Sequence, residues 1–254
     1  MTALGKFRLD GRTAIVTGAS RGIGEAIARA LAEAGAHVAV ASRKGCDDVA
    51  ASINANGGRA VATTAHLGDE ASIDRLVAFA LDRLGGRVDI IVNNAATNPV
   101  FGPIVNADAA AFQKIFDVNM KGPFLLCQKL QPQMVEHGGG SLIHISSVGG
   151  ITPEPMLGLY SSSKAALISL SKTMAMEWGG AGIRSNVICP GLVKTKFSQA
   201  IWQDEAMAKL ALDQQPLPRA GEPDEIASMA LFLASPASSY CTGAVFAVDG
   251  GHTI

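Results

Sequence analysis

The feature that most restricts the fold is an alternation, kept up along the whole chain, of short β-rich runs with longer stretches of helical periodicity. Thr13–Thr17 reads as a buried strand. Ile23, Ala26, Ile27, Ala30, Leu31 and Ala34 follow at helical spacing, and Gly35 ends that helix. His37–Ser42 and Arg59–Thr64 read as the second and third strands, with a helix predicted over 72–84. Ile90–Asn93 is a fourth strand, 141–146 a fifth, 184–189 a sixth and Val245–Val248 the last. Further helices are predicted over 109–137, 160–178 and 223–233; Pro223 suits a first helical position. This alternation favours a parallel sheet covered on both faces, a doubly wound α/β architecture. No linker-like stretch divides the 254 residues, so one domain over 1–254 is expected.

Composition narrows the function. Hydrophobic residues make up 48% of the chain and aromatics 5%, so the core must be built mainly from Ala, Val, Leu and Ile. A net charge of −1 with scattered Lys and Arg argues against nucleic acid or an anionic membrane as partner. Cys46, Cys127, Cys189 and Cys241 form no CxxC pair, and the histidines at 37, 66, 137, 144 and 252 lack ligand spacing, so no metal is expected. The N-terminus has no signal-like apolar run, and the last residues, Gly-Gly-His-Thr-Ile, are not a peroxisomal address. A cytoplasmic protein is expected.

Ligands of doubly wound sheets bind beyond the carboxyl ends of the strands. The distinctive residues fall there: 18–24, Ser42-Arg43, Asn93-Asn94-Ala95, Ser146-Ser147 and Pro190-Gly191. Thr17-Gly18-Ala19-Ser20-Arg21-Gly22-Ile23-Gly24 opens the first helix with glycine spacing G-x3-G-x-G. Missing Cβ atoms would let backbone N–H groups and the positive helix end approach a pyrophosphate. The second strand ends in Ala41-Ser42-Arg43-Lys44, where an acidic residue would repel a ribose 2′-phosphate. Ser42 can donate a hydrogen bond, Arg43 can pair with the phosphate, and Arg21 is a second cation, so with the nicotinamide cofactor that the resemblance described below implies, NADP(H) is expected ahead of NAD(H). Arg43 and Lys44 could also be ordinary solvated charges opening a loop.

Tyr160 and Lys164 are spaced to share one helix face. A phenol normally titrates at about 10, and a neighbouring ammonium together with a positive nicotinamide would lower that value. Ser147 lies thirteen positions before Tyr160, with Ser146 as the adjacent alternative. Ser161, Ser162 and Ser163 read as helix-start or surface residues. No Asp–His pair is placed to make Ser147 a nucleophile. The apolar residues of 192–217, including Phe197, Ile201, Trp202, Met207, Leu210 and Leu212, suggest a lid over a non-polar substrate, or a packed surface helix pair.

The order Thr17-Gly18 to Gly24, Asn93-Asn94-Ala95, Asn119, Ser147, Tyr160-x3-Lys164, Pro190-Gly191 and Asp249-Gly250-Gly251 resembles the short-chain dehydrogenase/reductase family over nearly the whole chain. The resemblance implies a single Rossmann-type domain with a seven-stranded parallel sheet, a nicotinamide cofactor and alcohol/carbonyl redox chemistry. It implies Tyr160 as proton donor, Ser147 as partner of the reacting oxygen, and Asn119 as a helix kink holding a water that links Lys164 to solvent. Cofactor contacts are implied for Gly18, Ser20, Arg21, Gly22, Ile23, Gly24, Ser42, Arg43, Leu67, Asn94, Ala95, Tyr160, Lys164, Pro190, Gly191, Val193 and Thr195, with a structural role for Asn93. His66-Leu67-Gly68 departs from the family's usual Asp at the adenine position; His66 either touches adenine or merely caps the strand. A homotetramer is implied, built on the Asn119 and Tyr160 helices, where Ala165, Ala166, Ser169 and Thr173 would permit close packing.

Asn98-Pro99-Val100-Phe101-Gly102, Ser42-Arg43-Lys44 and Gly191-Leu192-Val193-Lys194-Thr195-Lys196-Phe197-Ser198 are similar to the peroxisomal-type NADP-dependent carbonyl reductase/retinol dehydrogenase branch. The resulting expectation is hydride transfer between NADP(H) and a ketone, aldehyde or secondary alcohol. The alternatives are a 3-oxoacyl-thioester or sugar-acid dehydrogenase, or a non-catalytic dinucleotide-binding protein.

Overall fold

The computed structural model describes residues 2–213 and 215–254. Among them, β1 (Thr13–Thr17), β2 (His37–Ser42), β3 (Arg59–Thr64), β4 (Ile90–Asn93), β5 (Gly140–Ile145), β6 (Ile183–Pro190) and β7 (Val245–Val248) form one parallel sheet in the order β3-β2-β1-β4-β5-β6-β7. Every residue of the central strand β1 is buried, as a strand covered on both faces requires. Its side chains still alternate between two cores. Ala14 and Val16 face α1 (Gly22–Glu33), α2 (Asp47–Ala55) and α9 (Pro223–Ala234), while Ile15 faces α3 (Glu70–Arg83), α5 (Gly122–Glu136) and α6 (Gly158–Trp178). The strand order reverses between β1 and β4, so a crevice opens at their carboxyl ends. None of the described helices is long and apolar enough to cross a membrane.

The expected elements are present, with shifted ends and two substantive differences. The helix expected from 72 starts at Glu70, because the Asp69 side chain accepts from Ser72 N at 3.1 Å and caps it. Between β2 and β3, where no helix was expected, α2 buries only Val49, Ala50 and Ile53. The helix expected over 109–137 is interrupted at Asn119, where the resemblance implied a kink: α4 (Ala109–Phe116) passes into a π-turn (Asp117–Lys121) before α5 begins. The 192–217 segment contains two short helices, α7 (Gln199–Trp202) and α8 (Glu205–Leu212).

Gly122, where the π-turn hands over to α5, packs directly on the loop after β3. A Cβ there would fall on the Leu67 carbonyl oxygen and within 2.9 Å of Leu67 Cβ. Gly122→Ala is expected to lower the unfolding free energy by about 2 kcal/mol or more, measured by urea denaturation. Wild-type stability in this variant would show that α5 is free to move away from that loop.

Candidate active site

The loop from β1 to α1 is shaped by close backbone approaches. Gly18 has φ +66°, and a Cβ on it would sit 2.8 Å from Ala95 Cα and from Asn94 Nδ2. Gly22 has φ +59° and lies against Thr195, whose Cγ2 would be 3.2 Å from an added Cβ. Gly24 is closed in by Gly18 O and Asn94 Nδ2. Three segments are therefore drawn together at the reversal of strand order. Asn94 is the stitch: its Nδ2 donates to Thr17 O (3.0 Å) and Gly18 O (3.1 Å). Thr17 Oγ1 accepts from the backbone of Asn94 and Ala95 (both 3.1 Å) and donates to Val92 O (3.2 Å). The Asn94 amide thus organises the loop, a use that residue order alone does not reveal.

This cradle fits a dinucleotide. Arg21 precedes α1 in extended conformation, so the first turn of α1 presents backbone N–H groups with no side-chain cap. Ser20, Arg21 and Arg43 are exposed, while Ile23 packs partly buried against the core. Neither Arg21 nor Arg43 has an ion-pair partner among the described residues. The Ser42 hydroxyl is engaged differently from the sequence expectation: it donates to Gly45 O at 2.7 Å, which leaves Arg43 as the free donor at the end of β2. Leu67 is buried beside Gly122. His66 Nδ1 accepts from Gly68 N at 3.1 Å and closes a local turn after β3. On the other side, Pro190 ends β6 and Gly191 abuts Asp249. Val193 bridges to Gly221, and Thr195 O accepts from Trp202 Nε1 at 2.9 Å.

Tyr160 and Lys164 share the inward face of α6, at the carboxyl end of β5. The Lys164 ammonium is only 1% exposed; it donates to Ile145 O at 2.7 Å and lies 5.6 Å from the centre of the Tyr160 ring. Burial lowers its pKa to about 8. In the protein alone burial pushes the Tyr160 phenol above the ordinary tyrosine value, the Ser147 hydroxyl beside it opposes that shift, and the Glu154 charge adds to it. Desolvation is the largest contribution to that shift.

The two serines ending β5 divide their roles. Ser146 is buried and donates to Lys164 O at 2.9 Å, tying α6 to the sheet. Ser147 is half-buried; its Oγ accepts a local bond from Gly149 N at 3.1 Å and lies beside the Tyr160 hydroxyl. Asn119, in the π-turn, is wholly buried. Its amide pairs with Thr97 through N (2.8 Å) and O (3.0 Å) and donates to Ser163 Oγ at 3.0 Å. Ser163 in turn donates to Tyr160 O at 2.7 Å. Ser163 and Ser161 are thus core residues, contrary to the surface reading; only Ser162 is exposed. Asn93 has the structural setting expected: it is buried, with Nδ2 3.2 Å from Cys127 Sγ and 3.3 Å from His144 Nδ1.

Above Tyr160 lies the 192–217 segment. The Phe197 ring, 60% exposed, packs on the Tyr160 ring with centroids 5.8 Å apart. Ile201, Trp202 and Leu212 are half-buried, and the side chains of Met207 and Leu210 lie outside the described residues.

A parallel sheet whose order reverses beside a glycine cradle, with Tyr, Lys and Ser converging at its edge, defines a dinucleotide-dependent oxidoreductase class. Comparison with known proteins gives the family. The family model described as enoyl-(acyl carrier protein) reductase matches residues 18–253. The chain is 42% identical over 245 residues to dehydrogenase/reductase SDR family member 4 of Sus scrofa, covering 96% of this chain and 88% of the relative. Among solved structures it resembles a 7α-hydroxysteroid dehydrogenase complexed with NADH and 7-oxo glycochenodeoxycholic acid (TM-score 0.92, 35% identity, covering 99% and 98% of the two chains). It also resembles a gluconate 5-dehydrogenase from Burkholderia cenocepacia in complex with NADP and tartrate (TM-score 0.93, 33% identity, covering 99% of each chain). The chain belongs to the short-chain dehydrogenase/reductase family and is an oxidoreductase of that family.

The buried lysine has a thermodynamic signature. Its folded pKa lies below the ordinary 10.5, at about 8, so between those values the unfolded chain binds more protons. Its contribution to stability therefore rises with pH across that window. The stability difference between wild type and Lys164→Met, from urea unfolding, is expected to move by about 1 to 3 kcal/mol in favour of wild type between pH 8 and pH 10. Parallel profiles would mean that Lys164 keeps its solvent-like affinity for the proton.

Proposed function

We propose that this chain is an NADP(H)-dependent carbonyl reductase or alcohol dehydrogenase in which Tyr160 exchanges the proton with the substrate oxygen. The observation that carries the reading is the convergence of Tyr160, the buried Lys164 ammonium and the half-buried Ser147 at the carboxyl end of β5. When bound, the nicotinamide supplies or accepts the hydride, and its oxidised ring brings a positive charge. Ser147 donates to the substrate oxygen and steadies the charge that develops there. Tyr160 gives the proton in reduction and takes it in oxidation. Lys164, able to titrate near neutrality, favours the phenolate; Asn119, held by Thr97 and Ser163, keeps the π-turn open beside it. A water there would complete the proton path.

The cofactor residues are proposed as the glycine cradle from Gly18 to Gly24, Arg43 with Arg21 for a 2′-phosphate, Leu67 against adenine, and Asn94-Ala95 with the 190–195 segment around the nicotinamide half. Residues 1–254 would act as one dinucleotide-binding and catalytic unit, in the cytoplasm, with 192–217 as its lid. A homotetramer is supported by the outward face of α6, where Ala165, Ser169 and Thr173 are exposed together with Met176. A sugar-acid dehydrogenase draws on likenesses to several solved gluconate-type dehydrogenases, at 31–36% identity, and on no residue of the site. A non-catalytic dinucleotide-binding role would leave the convergence of Asn119, Ser147, Tyr160 and Lys164 without a purpose.

Two substitutions test this. Tyr160→Phe is expected to cut kcat by about 10³-fold or more while leaving the Kd for NADPH within a few-fold, read from fluorescence titration and ketone-dependent NADPH oxidation. Near-normal turnover would rule the role out. Arg43→Asp should reverse or erase the NADPH over NADH preference in kcat/KM by about 10²-fold, because it replaces a charge-assisted donor with a repelling carboxylate. An unchanged preference would move the 2′-phosphate site elsewhere.

A further inference from the structure

Glu154 lies between the Ser147 turn and the start of α6, and no sequence pattern singles it out. Its backbone N–H donates to Ser161 Oγ at 3.3 Å, which fixes the residue to α6 beside Tyr160. Its carboxylate is half-buried and has no hydrogen-bond or ion-pair partner among the described residues. The carboxylate nevertheless lies next to the reacting groups. A Cβ built on Gly149 would sit 3.0 Å from Glu154 Oε2 and 3.5 Å from Ser147 Oγ, so the two oxygens are separated by less than the sum of those lengths. Gly149 leaves that space open. The charged groups acting on this corner are Glu154 and Cys189, which raise the phenol of Tyr160, and His252, which lowers the Glu154 carboxyl. His252 is held there by a turn in which Asp249 accepts from Gly251 N (2.9 Å), Thr253 N (3.0 Å) and Thr253 Oγ1 (2.7 Å). Burial raises the Glu154 carboxyl above its ordinary value, as for a group lacking compensating donors.

An anion of this kind, a few bonds' length from the point where a substrate oxygen would be held, discriminates by charge. A donor on the substrate would satisfy it. A second carboxylate would meet like-charge repulsion where water is partly excluded. Phe197, packed on Tyr160, gives the same site an apolar wall.

We propose that Glu154 is a specificity-determining residue of the substrate site, selecting carbonyl compounds that carry a hydrogen-bond-donating substituent, hydroxyl or ammonium, a few bonds from the carbonyl and rejecting those that carry a carboxylate there. This rests on the assignment of Tyr160 and Ser147 to the reacting oxygen. It disfavours sugar acids and favours hydroxy- or amino-substituted ketones.

The test uses two matched aryl ketones, 3-(aminomethyl)acetophenone and 3-acetylbenzoate, with the full-length protein and NADPH. Wild type is expected to favour the ammonium ketone by about tenfold or more in kcat/KM. Glu154→Gln, which keeps the shape and removes the charge, should shrink that ratio to about threefold or less, mainly through opposite changes in the two KM values. NADPH affinity and thermal midpoint should stay unchanged. A ratio that is the same in both proteins overturns the proposal. Calorimetric titration of the two ketones into the NADP-loaded proteins reads the same discrimination as Kd, so the answer does not depend on turnover. Equal Kd values for the two ketones in wild type contradict the role of Glu154. Failure of the Tyr160 assignment would show separately, as turnover that survives Tyr160→Phe.

Discussion

The site depends on burying the Lys164 ammonium with a backbone carbonyl, Ile145 O, as its hydrogen-bond acceptor and, among the described residues, no carboxylate paired to it. A buried charge without a counter-ion is costly, and the cost appears as a pKa lowered to about 8. The surrounding chain is arranged to hold it. Ser146 grips the Lys164 carbonyl, and Gly150 is bare because a Cβ would meet Ser146 Oγ at 2.7 Å and the Lys164 backbone at 2.9 Å. The carboxyl end of β5 and the first turns of α6 therefore form one unit. An ammonium poised near neutrality beside a phenol is an unfavourable arrangement for stability and a useful one for moving protons.

The second unit is the crevice where the strand order reverses. Thr17, Asn94 and the glycines of the β1–α1 loop satisfy one another's polar groups, so the loop stands preformed. Thr195 reaches across to Gly22 and Thr97 to Asn119, linking the loop after β6 and the loop after β4 to the cradle and to the π-turn. The β5–α6 unit and the cradle thus meet along one edge of the sheet. The likenesses to an NADH-bound steroid dehydrogenase and an NADP-bound gluconate dehydrogenase show how one such frame serves different cofactors and substrates. Around the frame stand the exposed Arg43 and Arg21 at one end, and the half-buried Glu154 with the exposed Phe197 at the other.

Much of this was legible in the sequence. Buried parallel strands announce themselves as continuous β-branched runs, and Tyr160 and Lys164 share a helix face by spacing alone. The glycine loop is marked by its position after β1. Other parts have no local signal. Helix α2 presents three buried apolar residues in a polar segment, too few to mark a period. The π-turn at Asn119 depends on a tertiary partner, Thr97, that no spacing rule names. Ser161 and Ser163 read as surface because serine usually is, yet both close hydrogen bonds in the core. The upward shift of Tyr160 in the protein alone has no sequence signal for the same kind of reason. Proximity of a cation can be inferred from i, i+4 spacing, but desolvation depends on everything packed around the ring. Glu154 was missed because an isolated glutamate in a loop carries no pattern at all.

The central claim is that the Tyr160 phenol, held above its ordinary pKa by burial, becomes acidic enough to work once positive charge is brought alongside Lys164. Carbon-13 labelling of the tyrosine ζ carbons reads this directly, because the chain has two tyrosines and the other, Tyr240, is fully exposed. Titrated by NMR, the protein alone should give a Tyr160 midpoint above the free value of about 10, and saturation with NADP⁺ should bring it below that value. A midpoint that stays at or above the free value in the loaded protein would contradict the account.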